Sequence, residues 1–415
     1  MKTAYDNGWL TEAEIDARVT KILEFIEKTQ NDDKKITTTK AQRHEKAVEI
    51  ARAGIVLLKN EDNILPLQSG NILVDGIKNR QPVFGGGGSA FVTTDYKSKT
   101  LTEELAARMP DANVYSSRAL LFSNCIYESS EKKKDLYEKA YHAGTVVLCV
   151  GTNVQLETEF YDRETLRLPV QQEELIINTS KINKNLVVVL NVGSAIDMRA
   201  WINEVKAVVL AGFGGEGMHE AVADILSGKA CPMGKLSETY PLCLEDAPSI
   251  QDKVDGYSIR YEEGVFIGYR WYDKKQKEVL FPFGHGLSYA KFDYSDLQVN
   301  KLSETDYEVS FTVKNNSAVD GAEISQVYIR DPFASVPRPE KELKGFAKTA
   351  LKAGESKRVC ITLNARSFAY YSTVKKNWYV ENGDFEILVG ASSKDIRLTE
   401  RIVIQLAPNQ QQSQQ

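Results

Sequence analysis

The sequence predicts an α/β domain, with a mostly parallel sheet covered by helices, followed by an all-β sandwich. The chain has 415 residues, more than the roughly 250–300 at which a single core stops growing, so we expect two domains. Up to about residue 240, short β-branched runs alternate with helical stretches. Beyond residue 292, short alternating segments follow one another without a convincing helix. This change of pattern separates the two parts.

The first element is an amphipathic helix over residues 11–29. Thr11 and Glu14 form a capping-box pattern in front of it. Its apolar residues recur at helical spacing and form one face, which must pack against another apolar surface: Ile15, Val19, Ile22, Leu23 and Ile26. A polar linker follows over residues 31–40, and a second helix is predicted from Ala47 to Leu58, ended by a polar run and Pro66.

The next elements alternate between strands and helices. Strands are predicted at 145–150, 186–190 and 205–210, and helices at 131–143, 170–182 and 216–227. Nearly continuous apolar runs of this kind are typical of strands that are buried on both faces. We therefore expect a parallel sheet with helices on each side.

The last elements are short strands with alternating polarity. They are predicted at 307–313, 324–329, 358–363 and 385–389, after an irregular segment rich in Tyr, Gly and Pro. Strands at this spacing over about 110 residues predict a sandwich of immunoglobulin or fibronectin type. The glutamine-rich end of the chain is expected to be disordered.

Composition excludes several classes of function. Lysine and arginine number 52 against 57 acidic residues, a net charge of −5, which provides no positive field for a nucleic acid. The sequence contains no run of 18 apolar residues, so it predicts no membrane-spanning helix of ordinary length. Met1–Leu10 lacks the features of a secretory signal, so we expect a cytoplasmic chain, or a secreted one if a longer precursor carries a signal. The five cysteines and four histidines are too scattered for a metal site, and no cofactor is expected.

Two loops could carry chemistry. Residues Gly85–Ser89 read Gly-Gly-Gly-Gly-Ser, which lacks the lysine of a Walker loop and favours a tight turn that lets backbone approach a ligand or a neighbouring domain. Residues Glu157–Arg163 read Glu-Thr-Glu-Phe-Tyr-Asp-Arg and directly follow a predicted parallel strand. Such loops present ligands in open α/β sheets. A solvated acidic loop with an Asp–Arg pair is the alternative interpretation.

These loops and several other segments resemble glycoside hydrolase family 3, the β-glucosidase and β-xylosidase family. The most specific segments are YEEGVFIGYRWY at 261–272 and FPFGHGLSY at 281–289. The others are ARAGIVLLKNEDNILPL at 51–67, the two loops just described, NVGS at 191–194, GGEG at 214–217, GKL at 234–236 and RPEKELKGF at 338–346. The resemblance covers residues 1–405 in order and without a large insertion.

The resemblance implies a domain plan. A helix and linker from the end of a barrel would occupy 1–40, the family's C-terminal α/β domain 41–245, a connecting segment 246–291, a fibronectin type III-like sandwich 292–406, and a disordered tail 407–415. The family's (β/α)₈ barrel, roughly 250 residues long, is then expected before Met1 and is absent from these residues.

The resemblance also implies a retaining glycosidase, which uses two carboxyl groups about 5–5.5 Å apart. In the family the nucleophile is an aspartate on the barrel, so it cannot be named here. The general acid/base is a glutamate three residues before an aspartate, which corresponds to Glu159 before Asp162, with Glu157 as the alternative. Asp162 and Arg163 are expected to fix the loop or its contact with another domain, or to bind substrate, rather than to react. Phe160 replaces the usual glycine.

Gly87 and Ser89 are expected to bind substrate or support the loop. The implied substrate is a β-linked glucoside or short oligosaccharide, and the implied partner is a barrel-bearing chain or a second copy of this chain. One hypothesis is therefore a truncated or split family 3 hydrolase that is inactive alone because it lacks the nucleophile. The alternative is a non-catalytic carbohydrate-binding or scaffold protein.

Overall fold

A computed structural model describes residues 1–30, 37–94, 96–117, 130–251 and 253–407 of the chain. It contains two compact units, Met1–Glu45 and Lys46–Gln415, and each is described by itself. The predicted disordered tail lies outside the described residues except for Ala407.

The first unit is helical. It holds α1 (Lys2–Asp6), α2 (Glu12–Gln30) and the beginning of α3 (Lys40–Gly54). The predicted capping box is present: the backbone N–H of Thr11 donates to Glu14 at 2.9 Å, and the backbone N–H of Glu14 donates to the Thr11 hydroxyl at 3.3 Å. Five large apolar side chains of α2 are between 40% and 66% exposed: Val19, Ile22, Leu23, Phe25 and Ile26. Ile15 is half-buried.

The second unit begins with a six-stranded sheet. Its strands are β1 (Val56–Asn60), β2 (Asn71–Asp75), β3 (Asn113–Tyr115), β4 (Thr145–Gly151), β5 (Leu186–Asn191) and β6 (Ala207–Leu210). They lie in the order β1-β6-β5-β4-β2-β3. All neighbouring pairs are parallel except β1 and β6. The mostly parallel sheet predicted from the sequence is confirmed.

Helices cover both faces of this sheet, because alternate residues of each strand point to opposite sides. On one face, Val146 and Leu148 share a core with residues of α5 (Ser130–His142) and α6 (Val170–Ile182). On the other face, Val147 shares a core with the end of α3, α4 (Leu101–Arg108) and α7 (Met218–Leu226). Burial on both faces explains the continuous apolar runs.

The helix predicted from Ala47 to Leu58 is wrong in its second half. Helix α3 ends at Gly54, and the following residues form β1, in which Val56 pairs with Leu210 of β6. The run from Ile55 to Leu58 is continuously apolar and buried, as a strand covered on both faces requires, and β-branched Ile55 and Val56 favour the strand conformation. Similarly, the third predicted strand begins at Ala207 and the last predicted helix at Met218.

The connecting segment is more regular than its composition indicated. Strand β7 (Tyr240–Pro241) pairs with β10 (Val279–Phe281), while β8 (Lys253–Asp255) and β9 (Ser258–Arg260) form a hairpin. Helix α8 (Tyr269–Lys275) lies between β9 and β10 in the chain. The sequence analysis did not predict this helix.

The last part is an antiparallel sandwich, as predicted. Its strands are β11 (Phe292–Lys301), β12 (Tyr307–Asn315), β13 (Gly321–Arg330), β14 (Glu342–Leu351), β15 (Ser356–Leu363), β18 (Gly383–Gly390) and β19 (Ile396–Ile404). One sheet has the order β11-β12-β15 and the other β14-β13-β18-β19. A helical turn, α9 (Ala365–Phe368), precedes a small hairpin of β16 (Tyr370–Ser372) and β17 (Asn377–Tyr379). Among the residues that the structure describes, every helix is too short or too polar to span a bilayer.

Candidate active site

The candidate site lies at the edge of the sheet where parallel strands β4 and β5 end. The loop carrying residues 157–163 follows β4, and residues 192–195 follow β5. The glycine-rich loop comes after β2 in the chain and reaches the same edge, because Gly87 forms a parallel bridge with Thr158. Three segments distant in sequence therefore meet where open α/β sheets bind ligands.

Asn191, the last residue of β5, helps to hold the approach to the glycine-rich loop. Its side-chain oxygen accepts a hydrogen bond from the Val83 N–H at 2.7 Å, and its amide nitrogen donates to the Val83 carbonyl at 3.0 Å. The same nitrogen donates to the Gly212 carbonyl at 2.7 Å. Because Asn191 is buried, these bonds satisfy its polar groups and fix the segment.

The glycine-rich loop packs directly on the acidic loop. The Gly87 N–H donates to the Glu157 carbonyl at 2.7 Å. A Cβ atom on Gly87 would lie 2.5 Å from the Val154 carbonyl oxygen, so a side chain there would prevent the approach. The backbone of the glycine-rich loop therefore approaches the other candidate loop closely, and its expected approach to a ligand or a neighbouring domain stays a prediction.

Glu159 is exposed at the surface of this pair of loops. Its carboxylate accepts hydrogen bonds from the Ser89 hydroxyl and from the Ser89 N–H, the latter at 3.1 Å. The hydroxyl first, and then the backbone N–H, lower the pKa of Glu159 from its ordinary value of 4.5, because both stabilise the charged form. Ser89 thus orients a carboxylate that solvent can reach.

Glu157 has a different environment. Its side chain is only 11% exposed, and Oε1 accepts hydrogen bonds from the Thr152 hydroxyl at 3.0 Å and the Gly193 N–H at 3.1 Å. Arg163 Nη1 lies 3.5 Å from the same oxygen. Glu157 therefore ties its loop to the ends of β4 and β5.

Arg163 completes this support. Its Nη1 donates to the Ser194 hydroxyl at 2.7 Å, while its buried Nη2 has no partner in the described part of the chain. Asp162 is exposed, and no hydrogen bond or ion pair to another described residue involves it. The contacts of Arg163 support the loop, whereas the role expected for Asp162 stays a prediction.

Phe160, which stands where the family usually has glycine, is 73% exposed. A Cβ atom built on Gly88 would lie 3.2 Å from its ring and 3.0 Å from the Glu159 Cβ. The ring therefore covers the glycine-rich loop beside Glu159. Gly88 also has a positive φ of 76°, which glycine adopts without strain.

Sequence analysis did not single out Thr152 or Gly193 as individual site residues. Thr152 is the first residue after β4 and Gly193 the second after β5, and these positions at the ends of buried parallel strands could have indicated them. Among the described residues, no group of three or more His, Cys, Asp or Glu side chains could hold a metal ion.

Comparison with known proteins places this arrangement in a family. The family model described as "Glycosyl hydrolase family 3 C-terminal domain" matches residues 55–289, more than half of the chain and all of the candidate site. This chain belongs to glycosyl hydrolase family 3. A second model, "Fibronectin type III-like domain", matches residues 323–393 of the sandwich.

Relatives of this family 3 chain are glycosidases by name. The chain is 41% identical over 408 residues to thermostable β-glucosidase B of Acetivibrio thermocellus, covering 96% of this chain and 53% of that protein. It is 36% identical to an exo-α-(1→6)-L-arabinopyranosidase of Bifidobacterium longum, covering 97% and 54%. A crystal structure of the GH3 β-glucosidase of Bifidobacterium adolescentis matches with a TM-score of 0.89 at 36% identity, covering 97% of this chain and 59% of the other. The chain thus spans about half the length of these two curated relatives.

Replacing Ser89 with alanine is expected to raise the pKa of Glu159 towards its ordinary value, because the hydroxyl is the main cause of the lowering. The hydrogen bond from Ser89 to the Glu159 carboxylate stabilises the folded chain fully above about pH 4.5. This contribution is lost as the pH falls through the lowered pKa of Glu159. Carbon-13 NMR titration of glutamate carboxyls would measure the change.

A Glu159→Gln sample lacks the carboxyl signal of Glu159, so comparison with this sample assigns the Glu159 resonance for that titration. Glu14, whose pKa is lowered by the backbone and hydroxyl of Thr11, is an internal control that the change at Ser89 should leave unaltered. An unchanged Glu159 pKa in the Ser89→Ala protein would contradict the assignment of the hydroxyl as the main cause.

Proposed function

We propose that this chain is the part of a family 3 β-glucosidase-type hydrolase that supplies the general acid/base, Glu159. The observation that carries the proposal is an exposed carboxylate, oriented by Ser89, at the edge of the sheet where ligands bind. Glu157, the alternative, is engaged by Thr152, Gly193 and Arg163, so proton transfer from it would disrupt the loop that holds Glu159.

The chemistry needs a second carboxyl group. In a retaining mechanism, Glu159 would donate a proton to the glycosidic oxygen while a nucleophile attacks the sugar, and its carboxylate would then accept a proton from water. We place the nucleophile on a barrel outside these 415 residues, either on another chain or in a longer form of this one. Alone, the 415-residue chain is expected to lack enzyme-like activity.

Exposed apolar surface supports the proposal that a barrel outside these 415 residues contacts this chain. Besides the apolar residues of α2, the connecting segment carries large side chains that are at least half exposed: Tyr257, Ile259, Tyr261, Val265 and Ile267. Exposed apolar surface of this extent is typical of interaction surfaces. Phe160 and Tyr161, at 73% and 76% exposure, add aromatic surface next to Glu159.

Assembly would also prepare Glu159 for its role. A general acid must be protonated at the working pH, whereas Ser89 lowers the pKa of Glu159 in this chain. Burial against a barrel and a neighbouring carboxylate both raise the pKa of a carboxyl group. We therefore expect Glu159 to become an acid only in the assembled site.

The substrate we propose is a β-linked glucoside or short oligosaccharide, since most relatives are named β-glucosidases. The arabinopyranosidase among them shows that this C-terminal arrangement accompanies more than one sugar specificity. Specificity is therefore expected to depend mainly on the barrel.

Joining this chain to a family barrel is expected to produce a β-glucosidase. In the design, the 408-residue region of the Acetivibrio enzyme that aligns with this chain is replaced by this chain, and hydrolysis of p-nitrophenyl β-glucoside is measured. The controls are the 415-residue chain alone and the remaining part of the Acetivibrio protein alone, both expected to be silent. Activity of the chain alone, or a folded but inactive chimera, would contradict the proposal.

A further inference from the structure

A second cavity lies between the connecting segment and the sandwich. It has a volume of about 810 Å³ and includes no residue of the Glu157–Arg163 loop. Its walls come from the start of α8, the residues that lead into β14, and the hairpin of β16 and β17. The hydroxyl of Tyr269 on α8 accepts a hydrogen bond from the Leu343 N–H on β14 at 2.8 Å, so two of these walls are joined.

Positive charge dominates the lining of this cavity. Its basic side chains outnumber its carboxylates by five to one, since Glu342 is the single acidic residue that lines it in the described part of the chain. The five basic residues are Arg270, Arg338, Lys344, Arg366 and Lys375. A surplus of cations in a concave site attracts an anion.

The inner part of the cavity is preorganised by ion pairs. Arg338, whose side chain is 5% exposed, donates to Glu342 at 2.8 Å and to Asp331 at 3.2 Å. Lys344 lies 3.5 Å from the other oxygen of Glu342. Burial lowers the pKa of Lys344, and Arg338 opposes its charge. Glu342 and Asp331 together offset the charges of Arg338 and Lys344, so the surplus of positive charge in the lining comes from Arg270, Arg366 and Lys375.

The outer part combines cations with aromatic rings. The guanidinium of Arg366 lies 3.2 Å from the centroid of the Trp378 ring, and the ammonium of Lys375 lies 3.2 Å from that of Tyr379. These contacts hold both cations in place. Tyr371 meets Trp378 edge-on at 5.5 Å and is 51% exposed, which leaves aromatic surface open to a ligand.

We propose that this cavity binds a carboxylate-bearing oligosaccharide, with the carboxylate near Arg366 and Lys375 and a sugar ring against Tyr371. The cations match an anion, while the aromatic surface fits the apolar C–H face of a pyranose. The volume is too large for a small inorganic anion alone. This site is separate from the proposed role of Glu159 and does not depend on it.

Isothermal titration of the 415-residue chain would test the inference with three probes: trigalacturonate, uncharged cellotriose and sulfate. We expect trigalacturonate to bind at least about tenfold more tightly than cellotriose, because charge-assisted hydrogen bonds are stronger than neutral ones. Raising the salt concentration should weaken it, since partly exposed charges are screened. Equal binding of cellotriose, displacement of trigalacturonate by equimolar sulfate, or no binding of trigalacturonate would overturn the proposal.

Surface variants locate the binding. Arg366 and Lys375 are exposed, so replacing both with glutamine should leave the fold intact and weaken trigalacturonate binding about tenfold or more. Tyr371→Ala should weaken it through loss of the ring contact. Lys376→Gln is the matched control, because Lys376 is an exposed neighbour that does not line the cavity, and its affinity should stay within about twofold. Unchanged affinity in both cavity variants would refute the site.

Discussion

Replacing Glu159 with glutamine is expected to lower glycoside hydrolysis by the barrel-joined enzyme about 10²–10⁴-fold, the usual contribution of general acid–base catalysis. Glutamine keeps the shape of the side chain but cannot give a proton to the leaving group or take one from water. The loss should be larger for cellobiose than for p-nitrophenyl β-glucoside, because the nitrophenolate leaves without a proton. Steady-state kinetics on both substrates would measure this difference.

Azide provides a sharper readout for the same variant. If Glu159 is the acid/base, its replacement leaves a glycosyl-enzyme that water attacks slowly, because no base activates the water. Azide is an anionic nucleophile that needs no base, so it should restore turnover of p-nitrophenyl β-glucoside and release a β-glucosyl azide. An unchanged rate in Glu159→Gln would show that another residue is the acid/base.

Glu157→Gln is the matched control, since it makes the same change two residues away. Glu157 accepts hydrogen bonds from Thr152 and Gly193 and lies near Arg163 in a mostly buried position. We therefore expect a loss of about 1–3 kcal/mol in the free energy of unfolding. Azide should not restore whatever activity this variant loses. If azide restored the activity of Glu157→Gln but not of Glu159→Gln, Glu157 would be the acid/base and Glu159 would support the loop.

The sequence predicted the location of this site better than its internal contacts. A loop that follows a buried parallel strand must lie at the carboxyl edge of the sheet, so the position of Glu157 and Glu159 followed from the pattern. Their different environments did not, because two glutamates two residues apart have the same local signal. The difference comes from Gly193 and Ser89, which lie 36 and 70 residues away from the glutamates they contact.

The same reasoning explains where the fold prediction failed. Central strands such as β4 and β5 are continuously apolar because helices cover both faces, and this signal is local. The Ile55–Leu58 run carried the same signal, but its position directly after a helix made it resemble a continuation of that helix. Only pairing with β6, about 150 residues later in the chain, shows it to be a strand.

Replacing Asp224 with alanine is expected to destabilise the α/β part by about 3–5 kcal/mol, the usual loss when one partner of a buried ion pair is removed. Asp224 on α7 pairs with Arg108 of α4 at 2.5 Å and with Arg52 of α3. Its side chain is 11% exposed. Arg108 also pairs with Glu104 at 2.6 Å, so it would keep one carboxylate, whereas Arg52 would lose the carboxylate that it pairs with.

The cost should be concentrated where the three helices meet on one face of the sheet. Guanidinium unfolding would measure the total loss, and hydrogen exchange should show reduced protection first in α4 and α7, because local openings follow the weakest contacts. Glu204→Ala is the control, since its pair with Lys184 is exposed on both sides and should contribute about 0–1 kcal/mol. If both variants lost the same small amount of unfolding free energy, the ion pairs of Asp224 would contribute no more than the exposed pair of Glu204. The three helices would then be held together by apolar packing alone.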